Sequence, residues 1–180
     1  MLETDRLFLR RMTAADVEYV YAMRSDKDVM RFIRSAETSL EATESWIGMI
    51  SSRWETDRIG FCAIIEKSSG RFAGWCGLWR LMETGEIEVG YALFKEFWGK
   101  GFAVEASEAF LDYGFKELNV EKIVAVTDPE NQNSRRVMEK LGMTFDGSGH
   151  YYERELVHYS IARKDYFDKK MRKTAGAKPV

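Results

Sequence analysis

Cysteine and histidine are scarce in this chain, two of each among 180 residues. Cys62 and Cys76 lie inside apolar runs, with no secretory leader ahead of them. That excludes a disulfide framework and points to reduced core thiols. His150 and His158 have no ligand-type companion at useful spacing, so no metal site is expected. No apolar run approaches the ~20 residues of a membrane span. The opening MLETDRLFLRR is charged too early and too often for a signal peptide. These absences predict a cytoplasmic protein without membrane attachment. Net charge is −2, with no long block of one sign, so a general nucleic-acid surface is not expected. Repeats and low-complexity linkers are missing too.

What is present suffices for one packed domain. Apolar residues make up 45% and charged residues 31% of 180 positions, a globular profile with room for a sizeable core. One domain is expected over residues 1–168, followed by a polar, loose tail over 169–180. RLFLRRM (6–12) alternates Leu7 and Leu9 against Arg6, Phe8 and Arg10, the period of a strand. Thr13 and Asp16 are spaced as a capping box ahead of a helix carrying Val17, Val20, Tyr21 and Arg24. A short helix is expected over 26–34 and a longer one from 39 or 40 to about 54. The period then drops to two. IGFCAIIEK (59–67), RFAGWCGLWRLM (71–82) and EIEVGYALF (86–94) read as three strands joined by the turns SSG and ETG, an antiparallel meander. Residues 101–118 return to helical spacing through Ala103, Ala106, Phe110 and Tyr113. KIVAVTD (122–128) is a strand reached through that helix, hence a parallel crossover. Residues 131–142 form a helix stopped by Gly142. Residues 143–152 and 155–167 read as a final strand pair.

The chemistry centres on FKEFWGKGFAVEASEAF (94–110). Gly99 and Gly101 bracket Lys100 between a strand and a helix. They serve either to turn the chain alone or to let backbone N–H groups at the helix start approach an anion, phosphate being best suited. A P-loop is excluded, because Phe102 follows the second glycine where Lys is required. The dinucleotide fingerprint fails too, since Val104 occupies its third small position and the preceding strands form a meander.

EIEVGYALFKEFWGKGFAVEA followed by VTDPENQNSRRVMEKLGM resembles the GNAT acyltransferases. The branch it looks most like is that of the ribosomal-protein N-terminal acetyltransferases, the RimJ/RimL type. LETDRLFLRRMTAAD and YSIARKDYF extend the likeness over roughly residues 2–167. The resemblance implies an α/β fold: a mixed, mostly antiparallel, twisted sheet with a splayed parallel strand pair and helices on both faces. It implies acetyl-CoA as cosubstrate and no metal. The diphosphate is then expected on Gly99, Lys100, Gly101, Phe102 and Ala103, with Trp98 standing where the family usually has Gln or Arg. The pantetheine arm is expected between the strand at 88–93, with Gly90 as a bulge, and the strand at 122–128. Backbone N–H groups of Val89, Gly90 and Tyr91 are expected near the thioester carbonyl, and Asn131 near the pantetheine, or simply as a helix N-cap.

The same resemblance assigns catalysis. Acetyl transfer needs a neutral amine, and free amines have reference pKa values of about 8 to 10.4. Glu88 is the expected base, acting directly or through water, with Glu86 as its neighbouring alternative. Glu83, Glu86 and Glu88 together would attract a cationic acceptor. Ser134 matches the family's Asn-x-x-Ser/Ala and is the expected donor at the thiol. The tyrosine that many relatives carry four residues later is Met138 here. Tyr91, Tyr151, Trp75, Trp79 and His150 are further candidates for the acceptor side, packing being the alternative for each. With no cysteine in a nucleophile position, transfer is expected to be direct, to a primary amine. The acceptor is a protein N-terminus by analogy, or else a polyamine, an aminoglycoside or an amino-acid metabolite. A non-catalytic CoA-binding module and a binder of another nucleotide are the rival classes. A monomer or homodimer is expected.

Overall fold

Runs that alternate apolar and polar side chains become strands of one sheet. The computed structural model describes residues 1–33, 36 and 39–176. Among them the strands are β1 (Leu2–Glu3), β2 (Leu7–Arg11), β3 (Gly60–Glu66), β4 (Phe72–Arg80), β5 (Ile87–Leu93), β6 (Lys122–Thr127), β7 (Thr144–Tyr151) and β8 (Arg154–Ala162). They lie in the order β1-β2-β3-β4-β5-β6-β8-β7. All neighbours are antiparallel except β5 and β6, which are parallel. The helices are α1 (Val17–Ser25), α2 (Lys27–Met30), α3 (Leu40–Thr56), α4 (Phe102–Lys116), α5 (Gln132–Leu141) and α6 (Arg163–Gly176). The mixed, mostly antiparallel sheet with flanking helices is therefore the observed architecture.

Local signals place the helix starts. Thr13 and Asp16 form the capping box before α1, and Arg10 grips Asp16 with two bonds of 2.7 and 2.6 Å. Ser39 caps α3 by accepting from the Ala42 N–H. Asn131 caps α5 by accepting from the Ser134 N–H, and Gly142 ends it at φ 89°.

Two apolar layers sandwich the sheet. Leu7, Leu9, Ile64 and Leu78 meet Phe110, Leu111 and Phe115 of α4 on one face, all fully buried. Each such side chain contributes about 1.5–3 kcal/mol through burial. On the other face Val20 and Met23 of α1 and Ile47 of α3 cover Ala63, Trp75 and Ala92. β4 is buried on both faces over most of its length, which is why its sequence is apolar nearly throughout. No helix among the described residues is long and apolar enough to cross a membrane.

Four expectations need correction. The final strand stops at Ala162, and α6 begins at Arg163. Tyr166, 3% exposed, turns inward, sits 5.1 Å from the Phe115 ring and donates to Asp112 Oδ1 at 2.9 Å. That anchorage winds the segment into a helix. α6 consequently crosses the boundary drawn at residue 168 and carries most of the expected loose tail; residues 177–180 lie outside the described residues. The second helix is shorter than 26–34: Asp26 caps it, it ends at Met30, and Arg34 lies outside the described residues. Gly90 is not a bulge, because the β4–β5 register runs unbroken from Gly74↔Leu93 to Arg80↔Ile87. The missing side chain there makes room for Phe61 instead, whose Cε1 would lie 3.2 Å from an added Cβ. The register shifts fall in β3–β4 and β7–β8.

Tyr166→Ala removes both the ring contact with Phe115 and the tether of α6. Chemical denaturation is expected to show a loss of about 3 kcal/mol. A loss below about 1 kcal/mol would mean that α6 is not docked through this side chain.

Candidate active site

β5 and β6 touch at one paired position, Glu88 opposite Val124. Beyond it the two strands part, while β4 holds the other edge of β5 as far as Leu93. Glu86 O accepts from Leu81 N–H, and Phe94 N–H donates to Ala73 O, both across to the β4 side. Backbone alternation then turns the polar groups of Val89, Tyr91 and Leu93 toward the fork, and those of Gly90 toward β4. The Val89 N–H is spent on Val124 at the one paired position, so of the three expected residues Tyr91 offers its amide to the fork, and Gly90 does not.

The turn into α4 closes one end of the fork. Gly99 and Gly101 take φ 73° and 81°, values that cost an L-residue about 1 kcal/mol or more. Nothing lies within 4 Å of an added Cβ at Gly99, so that side of the turn is open. Glu105 N–H is bonded to Gly101 O, leaving the preceding amides of α4 without intrahelical carbonyls. Trp98 Nε1–H donates to Leu93 O at 2.8 Å and ties the turn to the end of β5. Arg6 donates to Lys100 O at 2.9 Å and pairs with Glu105, bracing the turn from beside β2. Burial pulls the Glu105 carboxyl up, but bonds from Thr4 and Arg6 outweigh it and hold it below the usual range. The Lys100 ammonium lies 4.9 Å from the Phe97 ring centroid.

Glu88 sits at the fork on the face covered by α1 and α3, opposite Trp79 in the register. It is only 8% exposed. Burial pushes its carboxyl up to about 7, against hydrogen bonds from Tyr152 and the Val126 N–H, with the Glu83 charge adding to the rise. The Tyr152 hydroxyl donates to Glu88 Oε2 at 2.5 Å. Glu86, the alternative base, is held by Lys122 at 2.5 Å, which keeps it ionised below its ordinary pKa.

Tyr91 projects to the opposite face of β5, against the core under α4. Its hydroxyl donates to Ser134 Oγ at 3.3 Å, and burial pushes it up to about 12. Thus a phenol reaches Ser134 from β5, although Met138 is buried in the core. Both cysteines are buried, with thiols pushed up to about 12 by burial, so neither is a ready nucleophile.

The remaining candidates scatter. Trp79 stacks on Phe61 at 5.7 Å, and Trp75 packs edge-on to Trp46. Tyr151 stacks on His158, and His150 pairs with Glu155 at the exposed hairpin. Tyr152 escaped the sequence reading. Its only local signal is a two-residue hairpin loop without the usual Asn or Gly.

A family model described as Acetyltransferase (GNAT) domain matches residues 6–144.

The chain belongs to the GNAT acetyltransferases.

This GNAT chain is 31% identical over 173 residues to the Uncharacterized N-acetyltransferase p20 of Bacillus licheniformis, covering 92% of this chain and 97% of the relative. It is 28% identical over 164 residues to the Spermidine N(1)-acetyltransferase of Escherichia coli K12, covering 88% and 80%. A GNAT-family acetyltransferase structure from Bacillus anthracis superposes with TM-score 0.78 at 27% identity, covering 91% and 98%. The protein is an acetyl-CoA-dependent acetyltransferase by family and fold. Its own residues suit the cosubstrate: an open glycine turn with free helix-start amides, and a strand fork with backbone donors along one edge.

Two outcomes test the site. Gly101→Glu places a carboxylate in the turn and is expected to abolish the thermal stabilisation given by acetyl-CoA; a retained shift would locate the diphosphate elsewhere. Glu88 binds its proton more tightly folded than unfolded, so between pH 4.5 and 7 stability falls as pH rises. Above pH 7 the cost is about 3 kcal/mol. Glu88→Gln should therefore exceed the native chain in stability at pH 8 and converge with it near pH 4.5, read by denaturant titration.

Proposed function

We propose that this protein transfers an acetyl group directly from acetyl-CoA to a primary amine, with Glu88 as the base. The single paired position between β5 and β6 carries the proposal, because it sets a buried carboxyl at the mouth of a gap edged by backbone polar groups. Acetyl-CoA supplies the acyl group in activated thioester form. Gly99, Lys100, Gly101, Phe102 and Ala103 hold its diphosphate by main-chain N–H groups, and Asn131 borders the arm.

Glu88, poised near 7, takes the proton that the acceptor amine must lose. The Tyr91 N–H stabilises charge on the carbonyl oxygen. Ser134, with Tyr91 behind it, supplies hydrogen bonding at the departing sulfur on the other face of the strand. Base and donor thus flank the fork from opposite faces of β5. The inert burial of both cysteines supports direct attack over a covalent enzyme intermediate.

A protein N-terminal amine is the acceptor that the RimJ/RimL resemblance supports. A small polyamine is the second reading, favoured by the relative named Spermidine N(1)-acetyltransferase. Thiol release from acetyl-CoA, screened against N-terminal peptides, polyamines and aminoglycosides, separates them. Absence of thiol release with every amine tested, alongside retained binding of CoA and acetyl-CoA, would favour a non-catalytic CoA-binding module. With the best acceptor, Glu88→Gln is expected to lower kcat about 100-fold and Ser134→Ala about 10-fold. Full turnover in both variants would overturn these assignments.

A further inference from the structure

The β7–β8 hairpin turns through two residues, Tyr152 and Glu153, between the paired Tyr151 and Arg154. Both loop residues are left-handed, at φ 50° and 60°. Such turns favour Asn and Gly, and a tyrosine there is strained unless its surroundings hold it. Here they do. Tyr152 N–H donates to Glu83 Oε1 at 2.5 Å, reaching the β4–β5 turn. Arg154 donates to Asp128 Oδ2 at 2.6 Å and to Phe32 O at 3.2 Å, fastening the hairpin to the segments after β6 and α2. The strained backbone delivers one polar atom inward, the Tyr152 hydroxyl on Glu88 Oε2.

We propose that Tyr152 is the positioning residue of the base: its hydroxyl holds the Glu88 carboxyl at the fork and sets the pH range in which Glu88 accepts a proton. This rests on Glu88 being the base.

Glu88 is 8% exposed and Tyr152 39%, so the phenol bridges the buried carboxyl and the outside. The groups around Glu88 leave it few other stabilisers. Glu83 faces it from the β4–β5 turn and opposes ionisation; β6 contributes the Val126 N–H. Asp128 and Arg154 neutralise each other across the hairpin, and Glu86 is paired with Lys122. Among the described residues no cation forms an ion pair with Glu88. The phenol and one amide are therefore the donors that favour its carboxylate. Burial and the Glu88 charge raise the Tyr152 hydroxyl well above its ordinary value, so it stays a donor throughout the working range.

Tyr152→Phe keeps the ring and deletes the donor. Two readouts on the full-length protein test it: the titration of the Glu88 side-chain carbon by NMR, and the pH profile of kcat/KM with the best acceptor. Both midpoints are expected to rise by about one to two units, the scale of one hydrogen bond to a charged group. Turnover at pH 7 then falls about 5- to 50-fold and recovers toward pH 9, while acetyl-CoA affinity by calorimetry is unchanged. Site-specific 3-fluorotyrosine at 152, a stronger donor of the same shape, is expected to move both midpoints below the native ones. Glu153→Gly, which relaxes the turn and touches no reacting group, should raise the melting temperature by about 2–4 °C and leave turnover unchanged. Midpoints that stay put in Tyr152→Phe while Glu88→Gln is inactive would overturn this inference alone. Full activity in Glu88→Gln would overturn the base and Tyr152's role together.

Discussion

One pairing, Glu88 against Val124, governs the functional architecture. Had β5 and β6 continued side by side, their backbone groups would satisfy each other and the sheet would be closed. Because they separate, the 89–93 edge keeps polar groups turned toward an opening within an otherwise hydrogen-bonded sheet. Buried backbone donors and acceptors left this way are costly, and an extended ligand arm is a natural partner for them. Trp98 already meets one such group, the Leu93 carbonyl, at the far end of the edge.

The fork also sets the polar side chains of β5 on two sides. Successive residues of a strand point to opposite faces. Glu88 therefore faces the layer of α1 and α3, while Tyr91 faces α4 and meets Ser134 from α5. In the proposed reaction, proton removal and proton return are thereby separated by the thickness of the sheet. The arrangement is stabilised unevenly. The Tyr91–Ser134 side uses neutral hydroxyls, whereas the Glu88 side buries a carboxyl and tolerates left-handed backbone at Tyr152 and Glu153.

Much of this was legible in the sequence where the signal is local. The meander followed from alternation broken by Gly70 and Gly85, which take φ 69° and 74°. The turn at Gly99 and Gly101 was visible as flexibility between two periodic segments, and the caps Thr13, Asn131 and Gly142 fall where their residue types demand. Glu88 and Ser134 were named through a motif resemblance, not through periodicity. What could not be read depends on distant partners. Glu88 and Tyr152 are 64 residues apart, Tyr91 and Ser134 are 43 apart, and no local pattern announces either meeting. The α6 segment was misread because apolar residues around Tyr159, Ile161 and Phe167 mimic alternation; its docking to Asp112 and Phe115 decided otherwise. Gly90 looked like a defect in β5 and instead accommodates the Phe61 ring.

Arg6 reaches from the start of β2 to the Lys100 carbonyl and to Glu105 in the first turn of α4. β2 lies three strands from β5 in the sheet, yet it props the loop that begins just past β5. With the diphosphate site proposed above, coenzyme recognition would be wired to completion of the outer sheet. A nascent or partly unravelled chain lacking that strand would present a slack loop and gain little from the coenzyme. Under the proposed function, acetyl-CoA held at that turn stabilises only the finished molecule, by mass action.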